Sequence, residues 1–562
     1  MTTKSASKKK ARAKAKATPV DEPAEKTTEP AATDEKPEKP AEEPAEEPAE
    51  KPAAKAPGFF DATRRHLILG FYAPLLLLFW EMWQVRRFTV DDSYISFRYA
   101  RNFARGLGLV YNEGERVEGY TNFLWTVLLG IGIKVGLDPD FLVKVMGGTC
   151  AAITLFLLFR LSDRLRPYTA VPCVATWLFA TSALNTGYSV FGLETPLFVT
   201  LVVGGMYLFF QEEPAFGEPA PRASKFPVSG ILYGLAGITR PEAPMFIGIL
   251  MLFLGRGLFS KRNITRGLLF VAPVGAHLLF RRSYYGQWTP NTFGAKTGNF
   301  DGQIQGGLRY VQNYIAHESR PLLIIAAIGV LWALLSRRRD LLSITATGAA
   351  VAGYVVLVGG DWMALFRFLV PFEPFCFLLI CIVLREAWDR LNTWDKDRAR
   401  LLRAIGLAVC VGISVYRVSE LGKSQRFIMG HEDRFWRMAA GGTAKWLNEH
   451  PRGMIALGDI GYVGYATDYP LLDLLGLVDP VIAKLPGGYT QKIGPGFADR
   501  LFDVNPRYVL IISANRECNK PSVAGSRVIY YDHRFAQRYT KAGLVPLDDN
   551  FAWCLFENPT GR

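Results

Sequence analysis

Long apolar runs alternate along the chain with short, strongly basic loops. About eleven runs approach the length needed for a helix to cross a hydrocarbon core of roughly 30 Å. They are 66–84, 142–160, 169–187, 195–210, 227–239, 244–258, 266–281, 321–336, 341–358, 368–385 and 403–418, of which 227–239 is the weakest. A further run, 120–137 (YTNFLWTVLLGIGIKVGL), is set apart by charge. Four loops carry Arg160, Arg164 and Arg166; Arg256, Lys261, Arg262 and Arg266; Arg337, Arg338 and Arg339; and the basic cluster from Arg385 to Arg403. Basic loops stay on the cytoplasmic side, and all four do so only if 120–137 does not cross. That run is therefore expected to be an interfacial or re-entrant helix on the outer face, with Tyr120, Trp125 and Lys134 at headgroup level. Residues 85–141, 187–194, 282–320, 359–367 and 419–562 then share the outer side.

Composition sharpens this picture. The 562 residues are 49% hydrophobic and the mean hydropathy is +0.12, although residues 1–57 hold almost no large apolar side chains. That first segment, basic and then acidic with regular prolines, is expected to be a disordered cytoplasmic tail. It has no apolar stretch of the kind a cleavable signal peptide needs. The remainder is too apolar for a cytosolic enzyme. The net charge of +14 suggests nucleic acid at first sight, but it falls mostly in the inner loops, where it fixes topology, and no nucleic-acid partner is expected. In 419–562, DRFWRMAAGGTAKWLNEHP reads as an amphipathic helix. MIALGD, YVLIIS, RVIYYD and AWCLFE read as short strands. The fold class expected is an α-helical polytopic membrane protein of about eleven spans (58–418), with a disordered N-terminal tail (1–57) and a C-terminal extracytoplasmic α/β domain (419–562). Cys150, Cys173, Cys376, Cys381 and Cys410 fall in apolar runs as packing residues. Cys518 and Cys554, alone in the outer domain, are a candidate disulfide in an oxidising compartment.

The chemistry collects on the outer side. Just past the first run stand Asp91 and Asp92, a carboxylate pair suited to a general base, a nucleophile or a metal partner. The same residues suit the start of a helix, SYISFRYARNFARG, with Asp92 or Ser93 as its cap and Gly106 at its end. Arg98, Arg101 and Arg105 follow at helical spacing and could meet phosphate or lipid headgroups. FGLETPL brings Glu194, TRPEAP brings Arg240 and Glu242, YYGQWTPNTFGAK brings Asn291 and Lys296, and GGDWMALFRFLVP brings Asp361 and Arg367. Charges at a membrane boundary pair with one another or mark a substrate pathway. Each cluster alone suits a structural ion pair. Together on one face they describe a polar cavity for a substrate with phosphate and hydroxyl groups.

DDSYISFRYARN, VEGYTNFLW (with Glu118, Tyr120 and Asn122), GLETPLF, TRPE, PNTFGAK and the GGDWM segment through Pro371 form a set. This set resembles the C-type (GT-C) membrane glycosyltransferases, and among them the arabinofuranosyltransferases of the actinobacterial cell wall. The resemblance runs from about Thr89 to Pro371 and continues weakly into GDIGYVGY and LLDLLGLVDP. It implies transfer of a sugar, arabinofuranose in the nearest group, from a polyprenyl-phosphate donor to a cell-envelope glycan on the outer face of the cytoplasmic membrane. It places the acidic role on Asp91 or Asp92, with Asp91 ahead because Asp92 is the more natural cap. Arg98, Arg240, Lys296 or Arg367 would hold the departing phosphate. Some members use a divalent cation near this loop; here the acids are paired, but the six histidines are scattered. Rival readings are the same chemistry with a hexose or mannose donor, and a transporter or flippase of lipid-linked sugars, although no internal repeat is visible.

Overall fold

The computed structural model describes residues 62–562 except 168–170, 214–215, 217–225, 319, 392, 394–395, 489–491 and 548–549. The tail expected to be disordered lies outside the described residues. The described chain is mostly helical and reads as a multi-pass membrane protein. Five helices are long and apolar enough to cross a bilayer: Thr63–Val85, Pro139–Leu165, Thr195–Glu212, Lys261–Tyr285 and Arg339–Val358. The bent pair Phe300–His317 and Arg320–Ser336 would make a sixth. Other apolar runs take different forms. The run at 169–187 divides into Val174–Ala180 and Ala183–Tyr188. Ser182 leaves the helix there and caps the second piece, its hydroxyl accepting from the Asn185 N–H at 3.3 Å. The runs at 227–239 and 244–258 become Ser229–Gly237 and Ala243–Leu252, only 9 and 10 residues long. Residues 120–137 hold a helix of 12 residues, Phe123–Lys134, about 18 Å long and short of a bilayer core. It buries Trp125 and Leu129, and Tyr120 is buried too rather than at a headgroup.

Three of the four basic loops meet at one end of the helices, where opposite charges tie them. Arg166 pairs with Asp389 at 2.7 Å, Arg385 with Asp163 at 2.9 Å, and Arg338 with Asp340 at 2.6 Å. Arg338 also donates to the Leu165 carbonyl at 3.0 Å. The helix Arg339–Val358, which starts beside Arg338, ends at Gly359–Gly360, and Glu194 immediately precedes the helix Thr195–Glu212.

A helical run from Lys396 through Tyr416, Leu421, Trp436 and Gly441 to Asn448 leads out of the apolar region. It delivers the chain to a five-stranded sheet of β1 (Ile455–Leu457), β2 (Leu471–Asp473), β3 (Tyr508–Ser513), β4 (Thr540–Pro546) and β5 (Ala552–Glu557), in the order β2-β1-β3-β5-β4. β2, β1 and β3 are parallel, and β5 is antiparallel to both neighbours. One expected strand is instead a helix: RVIYYD falls in Ala524–Tyr530, where Ser526 and Ile529 bury one helical face three residues apart. Cys518 and Cys554 form a disulfide with Cα atoms 5.8 Å apart.

Candidate active site

The site is built around the helix Asp91–Ala104, here called the acidic helix. Its cap is Val90, in extended conformation and without a side-chain hydrogen bond. Neither Asp92 nor Ser93 is the cap, contrary to the sequence expectation; both aspartates occupy the first turn. The C-terminal end is as expected. Gly106 is left-handed at φ 83°, and the Leu107 N–H returns to the Asn102 carbonyl at 3.0 Å.

Consecutive residues on a helix point about 100° apart, and here that angle separates two environments. Asp91 is buried against the C-terminal domain that holds the sheet. Its carboxylate accepts from the backbone N–H groups of Gly461, at 3.1 Å, and Tyr462, at 2.8 Å, in the first turn of the helix Gly461–Thr467. A Cβ on Gly461 would lie 2.3 Å from Asp91 Oδ2, so only glycine permits this approach. Burial, together with the nearby Asp459, pushes the Asp91 carboxyl up to about 8. Arg98 continues the same seam. Fully sequestered, it donates to the carbonyls of Tyr111 at 2.8 Å, Gly464 at 2.6 Å and Tyr469 at 2.7 Å. Arg101 and Arg105 each reach Asp468 at 2.7 Å. The expectation that Arg98 holds a phosphate, and that Arg101 and Arg105 meet headgroups, is therefore corrected: these arginines fasten the acidic helix to the C-terminal domain.

Asp92, turned about 100° from Asp91, meets a cluster drawn from several distant segments. Burial raises its pKa, and Arg367 and Lys296 pull it back, with Asp361 and Glu194 the next charges in range. Arg367 Nε lies 2.6 Å from Asp361 Oδ2. The contact is an ion pair without hydrogen-bond alignment, and Arg367 Nε is buried with no hydrogen-bond partner among the described residues. Lys296, an exposed residue, is lowered by burial and by Arg367. Behind them, Arg240 is fully committed, at 3.0 Å to Glu194 and 2.5 Å to Glu242. The expectation that it holds a phosphate leaves out these two carboxylates, which already occupy its guanidinium. Asn122 joins the cluster, donating to Glu194 at 3.1 Å and to Ser96 Oγ at 3.1 Å.

The segment that aims Asp361 and Arg367 is unusual. Gly359, Gly360, Leu365 and Phe366 all have left-handed backbones, at φ 93°, 76°, 62° and 46°. For the two non-glycine residues this costs on the order of 1–3 kcal/mol each, a cost tolerated where geometry serves function.

Three sequence candidates lie elsewhere. Glu118 is bound by Arg281, with Nε at 2.6 Å. The Tyr120 hydroxyl meets that of Tyr285 at 3.1 Å. Asn291 donates to the carbonyls of Gly476 at 2.8 Å and Leu477 at 3.0 Å. They form a seam between the segment 111–122, the helix Lys261–Tyr285 and the C-terminal domain, beside a cavity of about 130 Å³ lined by Arg116, Glu118, Gln287 and Asn291. Sequence reasoning missed Asp459. It lies in the GDIGYVGY segment within electrostatic range of both aspartates. Among the described residues, no group of three or more His, Cys, Asp or Glu side chains is placed to hold a metal ion.

Residues 430–556 match a domain of unknown function, DUF8728. The terminal β-(1→2)-arabinofuranosyltransferase of Mycobacterium tuberculosis is 27% identical over 508 residues, covering 76% of each chain. Its namesake in Corynebacterium glutamicum is 27% identical over 341 residues, 53% of this chain and 48% of that one. The resemblance read from the motifs is thus borne out by sequence relatives. Among solved structures, ArnT from Cupriavidus metallidurans bound to undecaprenyl phosphate superposes with a TM-score of 0.52 at 13% identity, over 87% of this chain and 97% of that one. An oligosaccharyltransferase of Archaeoglobus fulgidus, tethered to an acceptor peptide, gives 0.51 at 12% identity, over 86% and 74%. The chain has the GT-C fold. Within that fold, the acidic helix and the loop at Gly359–Arg367 bring Asp92, Asp361 and Arg367 into one charged cluster.

Proposed function

We propose that this chain is a membrane glycosyltransferase that moves a sugar, arabinofuranose, from a polyprenyl-phosphate donor to a cell-envelope glycan on the outer face of the cytoplasmic membrane. One observation carries the reading. Asp92 sits half-buried beside Arg367 and Lys296, in a chain whose sequence relatives are named arabinofuranosyltransferases. In the reaction, the acceptor hydroxyl attacks the anomeric carbon and its proton passes to Asp92. The bond from that carbon to the phosphate oxygen breaks, and its electron pair leaves with the phosphate. Arg367 and Lys296 meet the growing phosphate charge, an interaction strongest in the transition state. Burial brings the Asp92 carboxyl closer to neutrality, which makes it a better base. The disulfide at Cys518–Cys554 suits a domain in an oxidising compartment, and hence an outward-facing site.

The test is sugar transfer by the purified protein in lipid vesicles, from labelled polyprenyl-phosphate arabinofuranose to an arabinan oligosaccharide. Asp92→Asn should lower turnover by about 10²–10⁴-fold. Arg367→Ala should act mainly on donor use. Transfer from a hexose or mannose donor alone would replace the sugar. Lipid-linked sugar crossing the bilayer without transfer would replace the class by a flippase.

A further inference from the structure

We infer that Asp459, on the outer domain, binds the acceptor sugar opposite Asp92, so that the acceptor half of the site is completed by that domain. This rests on the glycosyltransferase reading above. The first support is topology. β1 lies between β2 and β3, with all three strands parallel. The chain leaves β1 toward one neighbour and later returns to the other. In open parallel sheets, ligands sit beyond the carboxyl ends of strands where connections part in this way. β1 ends at Leu457, and Asp459 is the second residue beyond it.

The second support is placement. Gly461 and Tyr462, which follow closely, hold Asp91 through their N–H groups. The loop bearing Asp459 is thereby fixed against the first turn of the acidic helix, and the charge acting on Asp459 is that of Asp92.

The third support is the set of partners. Asp473 accepts from the N–H groups of Leu475 and Val478 at 2.8 Å each. Asp479 is bound by two N–H groups and by Arg500. Asp459 is half-buried, and among the described residues its carboxylate has neither a hydrogen bond nor an ion pair. A carboxylate partly withdrawn from water and facing another carboxylate lacks compensation. Hydroxyl donors supply it. A sugar offers adjacent hydroxyls, one to lose its proton to Asp92 as it attacks and a neighbour to donate to Asp459.

Initial rates of sugar transfer, with donor and acceptor varied separately, test this. Asp459→Asn should raise the acceptor KM by about 10–100-fold, the worth of a hydrogen bond to a charged group. The donor KM and the unfolding midpoint should stay at their wild-type values. Asp459→Ser, smaller and polar, should show the same split. An unchanged acceptor KM in both variants overturns the inference. So does a rise in both KM values together with a lowered midpoint, which would mark a structural role. A wild-type protein that transfers no sugar from any polyprenyl-phosphate donor overturns the glycosyltransferase reading itself, and this inference with it.

Discussion

Asp91 and Asp92 are adjacent in sequence and face different partners, so isosteric amides should separate their roles. In Asp91→Asn one carboxylate oxygen becomes an NH₂ group that must face a backbone N–H, that of Gly461 at 3.1 Å or Tyr462 at 2.8 Å. One buried donor then loses its acceptor, which costs about 1–3 kcal/mol, while the other bond survives. Asp92 and its two cations remain in place. The variant should therefore unfold at a lower temperature in detergent and keep turnover within about tenfold of wild type, since a helix shift of about 1 Å would be needed to cost about 10²-fold. Asp92→Asn removes no such backbone bond. Its midpoint should match wild type, while turnover falls by about 10²–10⁴-fold. Tryptophan fluorescence on heating and labelled-sugar transfer, measured on the same preparations, give both numbers. Silence of Asp91→Asn at an unchanged midpoint, together with activity of Asp92→Asn, would reverse the assignment.

Other outcomes follow from the same geometry. Arg98→Met strips the carbonyls of Tyr111, Gly464 and Tyr469 of their donor, about 1–3 kcal/mol for each group left unpaired; faster protease release of the outer domain would show it. Cys518→Ser opens a loop of sequence separation 36, worth about 4 kcal/mol in the chain-entropy account; peptide mapping without reductant should find the bridge in the parent and a lower unfolding midpoint in the variant. The Asp91 carboxyl stands at about 8 in the folded protein against 3.8 ordinarily. Because the folded value is the higher, this contribution to stability is full below about pH 4 and is lost as pH rises through 8. Unfolding midpoints measured across that window should fall with pH, and the slope should flatten in Asp91→Asn.

What the sequence disclosed follows from how local each signal is. The acidic helix was legible because its end is written in Gly106 and its polar start follows an apolar run. Cys518 and Cys554 were legible because no other cysteine shares their domain. The role of Arg98 was not, since its partner Gly464 is 366 residues away and helical spacing cannot tell a solvent-facing arginine from one that satisfies buried carbonyls. RVIYYD looked like a strand by β-branched and aromatic content, but tertiary packing chose a helix. β4 went unseen because its pattern is largely exposed and carries no alternation. The convergence of Glu194, Arg240, Lys296, Asp361 and Arg367 near Asp92 was approached only through topology: charge bias placed them on one side, and only coordinates separate those in this cluster from Glu118, Tyr120 and Asn291 at the seam.

The seam at Asp91 and Gly461 also bears on how such a chain can be recombined. An outer domain grafted from a relative meets residues 91–105 through backbone groups, a glycine too tight for any side chain, and paired charges at Asp468. The acidic helix is covalently part of the membrane body, yet in its contacts it belongs as much to the outer domain. A working chimera would have to take both segments from the same parent, and natural drift at either one would be constrained by the other.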